Sequence, residues 1–239
     1  MAQPNSSLHS FGAFRYSAVK LLIALGLLFI STPFVQELPR GELIESVLLT
    51  LVMITAVRTV GGSRKTHFFA LLLLFPALAG KWINHLRPDL IHPAFFITSA
   101  ILFFGFVVAN LLRFIVRAPR VDANVLCAGV AGFLLLGLLW TPTYLLVARL
   151  NPAAFTQPAF PGADTVLTGF DAFYFSFITL CTLGYGDITP ASKIARMLAV
   201  SEGITGLFYM AVLISRLVSM HASVQPAAES RSAGSAEEK

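Results

Sequence analysis

Long apolar segments alternate with short polar loops along most of this chain. A helix needs about 20 mostly apolar residues to cross a hydrocarbon core of ~30 Å. The segments that meet this requirement lie near residues 17–35, 42–60, 67–84, 93–116, 122–149 and 192–220. A further apolar segment, 170–182, is too short to cross at ~1.5 Å per residue, so it is predicted to be a re-entrant helix buried in protein. The pattern therefore predicts an all-α membrane protein with six transmembrane helices and one re-entrant helix.

Composition supports the membrane class. Apolar residues make up 56% of the chain and charged residues 12%, with a mean hydropathy of +0.77. These values are far from those of an average soluble domain. The segment from Leu21 to Ile30 also fits a secretory signal, but no small-x-small cleavage site follows it. We expect a multi-pass protein of the cell (inner) membrane that contacts membrane lipids.

Lysine and arginine in the short loops predict the orientation, because they concentrate on the cytoplasmic side. With the N-terminus inside, the inner side receives Arg15, Lys20, Arg58, Arg64, Lys65, Arg113, Arg117, Arg120 and Arg216. The outer side receives fewer basic residues together with several acids, among them Glu37, Asp89 and Asp164. Both termini are therefore expected in the cytoplasm. The net charge of +5 is explained by this anchoring, so no nucleic-acid partner is implied.

A glycine-containing motif, Thr182-Leu-Gly-Tyr-Gly-Asp187, follows the re-entrant segment. Successive carbonyl groups face one axis only if the backbone alternates between ordinary and left-handed dihedral angles, which glycine adopts without steric cost. Gly184 and Gly186 supply such positions. A row of carbonyl oxygens can replace the hydration shell of K+. The expected ion-binding residues are Thr182, Leu183, Gly184, Tyr185 and Gly186, with the Thr182 hydroxyl adding a ligand below the carbonyls.

This motif and its flanking segments resemble the tetrameric potassium channel family over roughly residues 121–220. The resemblance implies a homotetramer around one axis, since each chain has one filter segment. It also implies a K+-selective channel without enzymatic activity or a cofactor, in which K+ is the permeant ion. The implied regions are a cytoplasmic N-terminus at 1–16, a four-helix transmembrane domain at 17–120, a pore domain at 121–220 and a disordered cytoplasmic tail at 221–239.

The chain departs from the family pattern around the filter. Family members often carry two tryptophans early in the pore helix, where this chain has Tyr174 and Phe175. The resemblance therefore implies that Asp187, which ties down the outer end of the filter, lacks an indole donor. Ile178 and Cys181 also differ from the residues usual in the family. Leu183 and Tyr185 are expected to point backwards and brace the loop, and a pre-filter segment from Asn151 to Gly162 is expected to form an extended turret.

The last span contains a carboxylate and two glycines in an otherwise apolar helix. An intramembrane carboxylate is by default functional, and we expect Glu202 to support the filter from behind, with Thr179 and Ser176 as partners. The alternative is a carboxylate that faces water near the outer end of the helix. Gly206 is the first candidate for a gating hinge and Gly203 the second. Close packing of another helix explains a glycine equally well.

The first four spans occupy the position of a voltage sensor, but their charges do not fit one. A sensor needs several basic residues deep in one span, whereas the fourth span is apolar from Phe95 to Leu112. Arg113, Arg117 and Arg120 are interpreted as anchors at its inner end.

At the start of the re-entrant helix, Asp171 is either a favourable charge for the helix dipole or a helix cap. The alternatives to a selective channel are a weakly selective cation channel and a non-conducting membrane subunit.

Overall fold

The computed structural model describes residues 7–36, 38–60, 64–87, 90, 92–118, 123–156 and 167–222. For residues 7–17, 217 and 219–222 it describes the backbone alone. Several predictions fall outside this range: the tail after residue 222, the second half of the turret (157–162), and the charges of Glu37, Asp89, Arg120 and Asp164. The part of the predicted N-terminal segment that is described, from residue 7 onward, is already helical.

The described residues form seven α-helices, one 3₁₀ turn and two short strands. The helices are α1 Ser7–Val35, α2 Gly41–Thr59, α3 Arg64–Leu86, α4 Pro93–Arg117, α5 Ala123–Leu150, α6 Gly169–Leu180 and α7 Lys193–Ala222. The 3₁₀ turn is Pro152–Ala154, and the strands are β1 Phe155–Thr156 and β2 Thr189–Pro190. The chain is therefore mostly helical, as the hydrophobic pattern predicts.

Five of these helices, α1, α3, α4, α5 and α7, are long and apolar enough to cross a membrane. Helix α2 has 19 residues and follows its predicted bounds closely. It carries three charged side chains, those of Glu42, Glu45 and Arg58. Helix α6, with 12 residues, is too short to span a bilayer, in agreement with the re-entrant prediction. The multiple apolar helices identify an integral membrane protein.

Helix α5 joins the first four helices to the segment around α6. It contacts α1 and α4 on one side and α6 and α7 on the other. Fully buried side chains from α1, α4 and α5, including Leu21, Phe103, Leu111 and Leu135, form a common core. Helix α1 is thus an integral part of the bundle, with α2 as its other neighbour.

A second apolar cluster surrounds α6. Tyr144, Phe155 and Phe175 pack edge to face, with ring centroids 4.9 to 5.8 Å apart. The predicted turret therefore does not begin as an extended segment. Its first residues form the 3₁₀ turn and β1, which pairs antiparallel with β2 and places Phe155 opposite Pro190. This pairing holds the chain before α6 against the segment that follows the predicted filter.

Arg216 connects α7 to the end of α4. Its guanidinium donates hydrogen bonds to the carbonyl oxygens of Ala118, at 2.5 Å, and Ile115, at 3.5 Å. A cation at a helix C-terminus satisfies carbonyls that lack helical partners and interacts favourably with the helix dipole. The sequence predicted Arg216 only as a membrane anchor. The structure shows that it also ties the last helix to the fourth.

Candidate ion-binding segment

The beginning of α6 is fixed by a capping box. The Asp171 backbone N–H donates to the Thr168 hydroxyl at 3.2 Å, and the Thr168 backbone N–H donates to the Asp171 carboxylate at 3.1 Å. Reciprocal bonds of this kind satisfy N–H groups that have no partner inside the helix. Thr168 is therefore the N-cap, and Asp171 takes part in the cap from the first turn of α6, where its charge also has the favourable sign for the helix dipole. The helix starts at Gly169 rather than at Asp171.

After α6 the chain turns back on carbonyl groups of that helix. The Thr182 N–H donates to the Thr179 carbonyl at 2.9 Å, and the Leu183 N–H donates to the Ile178 carbonyl at 2.8 Å. A longer bond of 3.3 Å joins the Gly184 N–H to the same Ile178 carbonyl. These bonds use carbonyls left without helical partners at the end of α6. They direct residues 183–187 away from the helix as a separate segment.

The backbone of this segment alternates between two conformations. The φ angles of Thr182, Gly184 and Gly186 are positive, at 57°, 55° and 80°, whereas those of Leu183 and Tyr185 are not. This alternation is the conformation predicted for the two glycines. The positive φ of Thr182 was not predicted from the sequence, because a positive φ is uncommon for a residue with a β-carbon. Every second residue from 182 to 186 thus has the geometry that a row of parallel carbonyl groups requires.

The segment is exposed in a single chain. The side chains of Leu183 and Tyr185 are 58% and 69% accessible, so bracing by these residues is not seen within one subunit. A β-carbon added at Gly184 or Gly186 would meet no atom within 4 Å. The apolar face of α7 that follows is also open, and it includes Ile194, Leu207 and Phe208. Such a face in a membrane protein is covered by lipid or by further protein.

Asp187 is held at the C-terminal end of the segment by a tyrosine. The Tyr174 hydroxyl donates to the Asp187 carboxylate at 2.7 Å, and the Ile188 N–H donates to its other oxygen at 3.0 Å. The indole donor is absent, as the sequence predicted, but Asp187 is not left without a side-chain donor. A phenol on α6 supplies the hydrogen bond that an indole supplies in the family pattern, because the hydroxyl of Tyr174 reaches the same carboxylate.

Replacing Tyr174 with phenylalanine should weaken this support. The substitution removes a hydrogen bond to a charged group, which contributes about 1.5–3 kcal/mol in proteins. We expect faster hydrogen–deuterium exchange at the backbone amides of residues 183–188 in the purified protein. Tyr209→Phe is the matched control, because its hydroxyl donates to the Gly129 carbonyl on α5 and not to Asp187. Equal exchange at these amides in the wild type and Tyr174→Phe would show that this bond does not support the segment.

Glu202 lies at the junction of α5, α6 and α7. Its side chain is fully buried, and its two carboxylate oxygens accept hydrogen bonds from Tyr144 at 2.5 Å and Ser176 at 2.6 Å. The Ser176 oxygen also lies 2.9 Å from the Gly137 carbonyl. One carboxyl group therefore connects three helices, α5, α6 and α7.

This arrangement confirms one predicted partner of Glu202 and replaces the other. Ser176 is a partner. Thr179 is not, because no hydrogen bond joins its side chain to Glu202 in the part of the chain that the structure describes. Thr179 instead accepts the Thr182 N–H with its backbone carbonyl. The alternative of a water-facing carboxylate is wrong, since Glu202 is fully buried. A lone phenol in the apolar sequence of α5 was the signal that could have indicated Tyr144.

The two glycines near Glu202 have different surroundings. A methyl group added at Gly206 would lie 2.7 Å from the Leu180 carbonyl oxygen, whereas one added at Gly203 would meet nothing within 4 Å. Gly206 thus allows close approach of α7 to the end of α6. The structure accounts for this glycine by packing, which was the alternative to a hinge.

The pair Gly206→Ala and Gly203→Ala separates packing from helix propensity. We expect Gly206→Ala to destabilise the folded protein by about 1–3 kcal/mol, because the main-chain oxygen of Leu180 cannot move aside. Gly203→Ala should stabilise the helix slightly, by up to ~1 kcal/mol. Thermal unfolding of the two purified variants in detergent measures the difference. Equal destabilisation by both changes would contradict the packing role.

Part of this chain, including the segment described above, is similar to known proteins. Residues 127–222 match the family model described as ion channel. Over 68 residues the chain is 41% identical to the two pore potassium channel c of Oryza sativa subsp. japonica, covering 28% of this chain and 14% of the relative. It is 39% identical over 72 residues to two-pore potassium channel 4 of Arabidopsis thaliana, covering 30% and 25%.

A bacterial relative gives a similar result. The chain is 39% identical over 57 residues to the voltage-gated potassium channel Kch of Escherichia coli, covering 24% of this chain and 13% of the relative. The matches thus span a quarter or less of these three relatives. No solved structure matches the chain. The matched part, 127–222, contains α6, the exposed segment and nearly all of α5 and α7.

Proposed function

We propose that this protein is a potassium channel that conducts K+ passively across the membrane. The observation that carries the proposal is the alternation of positive φ angles at Thr182, Gly184 and Gly186 within the sequence Thr182-Leu-Gly-Tyr-Gly-Asp187. The relatives reported above are named as potassium channels, which supports the same ion. The channel function needs no covalent chemistry, so the proposal does not include an enzymatic step.

In this proposal K+ loses its water at the backbone carbonyls of the filter. The ion-binding residues are Thr182, Leu183, Gly184, Tyr185 and Gly186. Ions move between adjacent sites by mutual repulsion and leave down their electrochemical gradient. The C-terminal end of α6 carries a partial negative charge, which favours a cation close to the inner end of the filter.

The proposed assembly is a homotetramer. Each chain has one filter segment, and that segment is exposed when the chain is alone. Four copies around one axis would surround the ion with four carbonyls at each level and cover Leu183 and Tyr185. The apolar face of α7 would line the remaining contacts between subunits and the central cavity. Residues 121–220 would form this pore domain, and residues 17–120 the surrounding four-helix domain.

The proposed membrane topology has six spans, with α2 as the second. Both termini lie in the cytoplasm of the cell (inner) membrane, and the filter opens outward. Arg113 and Arg117 are exposed at the end of α4, where they suit contact with lipid headgroups better than movement through the membrane field. Opening is therefore not driven by voltage.

Supporting residues hold the filter in place in this proposal. Asp187 is held by Tyr174, Thr179 accepts the Thr182 N–H, and Glu202 connects α6 to α5 and α7. A gating hinge at Gly206 or Gly203 requires α7 to bend. Of the two, Gly203 is free of close packing, and Gly206 would have to separate from Leu180.

Reversal potentials test the proposal most directly. Purified protein in planar bilayers, with K+ on one side and Na+ on the other, should give a current that reverses near the potassium equilibrium potential. Bilayers without protein provide the baseline. Reversal near zero would favour a weakly selective cation channel. Absence of current in all lipid, pH and voltage conditions would favour a non-conducting subunit.

A further inference from the structure

A cavity lies between the first four helices and the start of α6, away from the filter. Its volume is about 160 Å³, and six helices, α1 to α6, contribute to its wall. Most lining side chains are apolar, such as Leu49, Met53 and Phe104. The part of the cavity that apolar side chains line suits an apolar guest. The cavity therefore suits a segment of hydrocarbon chain.

Two charged residues line one end of this apolar cavity. Lys81 on α3 and Glu45 on α2 both belong to its wall. Charged side chains at membrane depth are costly and usually have a functional partner. Within the part of the chain that the structure describes, Lys81 has an electrostatic interaction with Glu45 but no hydrogen bond or ion pair. Glu45 accepts one long hydrogen bond of 3.3 Å from Gln36.

A polar cavity adjoins the apolar one at this end. It has a volume of about 570 Å³ and shares Glu45, Gly169 and Phe170 with the apolar cavity. Its other polar or charged lining side chains are Gln36, Arg40, Glu42, His85 and Thr168. These residues lie where α1 ends, α2 begins, α3 ends and α6 begins. The polar cavity is therefore at one end of the bundle, at the depth of lipid headgroups.

The geometry points to a binding site for one ethanolamine phospholipid in these two cavities. An acyl chain fills the apolar cavity and packs against its apolar lining, which is as apolar as the lipid tails that surround the protein. The headgroup phosphate binds Arg40 and Lys81, since cationic donors form the strongest hydrogen bonds to phosphate. The headgroup ammonium binds Glu42 and Glu45. Each charged part of the zwitterion thus meets side chains of opposite charge.

The lining residues favour a primary ammonium over a quaternary one. Quaternary ammonium groups are recognised by several aromatic faces, whereas Phe170 is the one phenyl ring that lines the described part of the polar cavity. Carboxylates accept hydrogen bonds, which a primary ammonium donates and a quaternary one does not. A purely anionic headgroup would leave Glu42 and Glu45 opposite a negative charge.

Occupancy of this site would affect α6. Gly169, Phe170 and Phe173 line the apolar cavity, and Phe173 also packs against Phe29 and Phe177 with ring centroids 4.9 Å apart. A bound lipid would therefore support the beginning of the helix that ends at the filter. Only this consequence rests on the proposed channel function. Lipid binding itself does not depend on ion conduction.

Native mass spectrometry of the purified full chain, titrated with dioleoyl phosphatidylethanolamine, tests the site. We expect saturable binding of one lipid per subunit. Ala100→Phe, which fills the apolar cavity, should weaken binding at least about tenfold, a change of ~1.4 kcal/mol. Ala123→Phe, at the exposed start of α5, is the matched control and should bind normally. Lys81→Gln should also weaken binding, while Lys65→Gln at the other end of α3 should not.

Other phospholipids and the free headgroup test whether the site is specific for an intact ethanolamine phospholipid. Dioleoyl phosphatidylcholine and dioleoyl phosphatidylglycerol should bind more weakly, and free O-phosphoethanolamine should not compete. Equal binding of phosphatidylglycerol, or full competition by the free headgroup, would overturn the proposal. Unchanged binding in Lys81→Gln would overturn it as well, even if Ala100→Phe failed to fold. Because no current is measured, such a failure would leave the potassium channel proposal intact.

Discussion

Gly186→Ala should abolish K+ selectivity in reconstituted protein. Gly186 has a φ of 80°, and its carbonyl is one of the proposed ion ligands. A side chain in the left-handed region costs about 1–2 kcal/mol per residue, and a tetramer contains four copies of the position. The backbone is expected to leave the alternating conformation to relieve this strain. The permeability ratio of K+ to Na+ should then fall at least about tenfold, since ~1.4 kcal/mol changes an equilibrium tenfold.

The measurement is the reversal potential under the same two-cation conditions. Gly26→Ala provides a matched control, because a methyl group added at Gly26 also meets nothing within 4 Å but its φ is not positive. It should reverse at the wild-type potential. If Gly186→Ala kept wild-type selectivity, the positive φ at this residue would not be required for ion selection, and the proposed filter would have to be abandoned.

Much of the fold was predictable because it depends on local sequence. Apolar length predicted six helical segments, and the described helices start and end within a few residues of the predicted bounds, apart from the earlier start of α1. Glycine preference predicted the positive φ angles of Gly184 and Gly186. Asp171 also has a local role, since its capping partner, Thr168, is three residues away. Each of these features is determined by neighbours along the chain.

The rest of the site depends on residues that are distant in sequence. The bond from Tyr144 to Glu202 joins α5 to α7, and its existence depends on how those helices pack. The pairing of Tyr174 with Asp187 requires the chain to turn back beside α6. The φ of 57° at Thr182 is imposed by hydrogen bonds to α6, against the ordinary preference of threonine. Apolar patterning alone contains no information on these contacts.

Replacing Glu202 with leucine should give the second large effect. Leucine is close in size but cannot accept the hydroxyl hydrogen bonds of Tyr144 and Ser176. Ser176 keeps the Gly137 carbonyl as a partner, whereas the fully buried Tyr144 loses the acceptor described for it. An unsatisfied buried polar group costs about 1–3 kcal/mol. We expect a lower thermal stability of the assembled protein and a loss of K+ selectivity, because α6 is no longer held in position.

Glu202→Gln is the informative companion variant. Its amide oxygen can accept from Tyr144, and its amide nitrogen can donate to Ser176, which then donates to Gly137. We expect Glu202→Gln to recover most of the stability and selectivity lost in Glu202→Leu.

The double variant Tyr144→Phe with Glu202→Leu removes the unpaired hydroxyl, so it should be more stable than Glu202→Leu alone. If Glu202→Gln recovered stability but not selectivity, the roles of Glu202 in helix packing and in filter support would be separated. Packing would then be restored while the filter was not. Wild-type selectivity in Glu202→Leu would show that the filter does not depend on this carboxyl group.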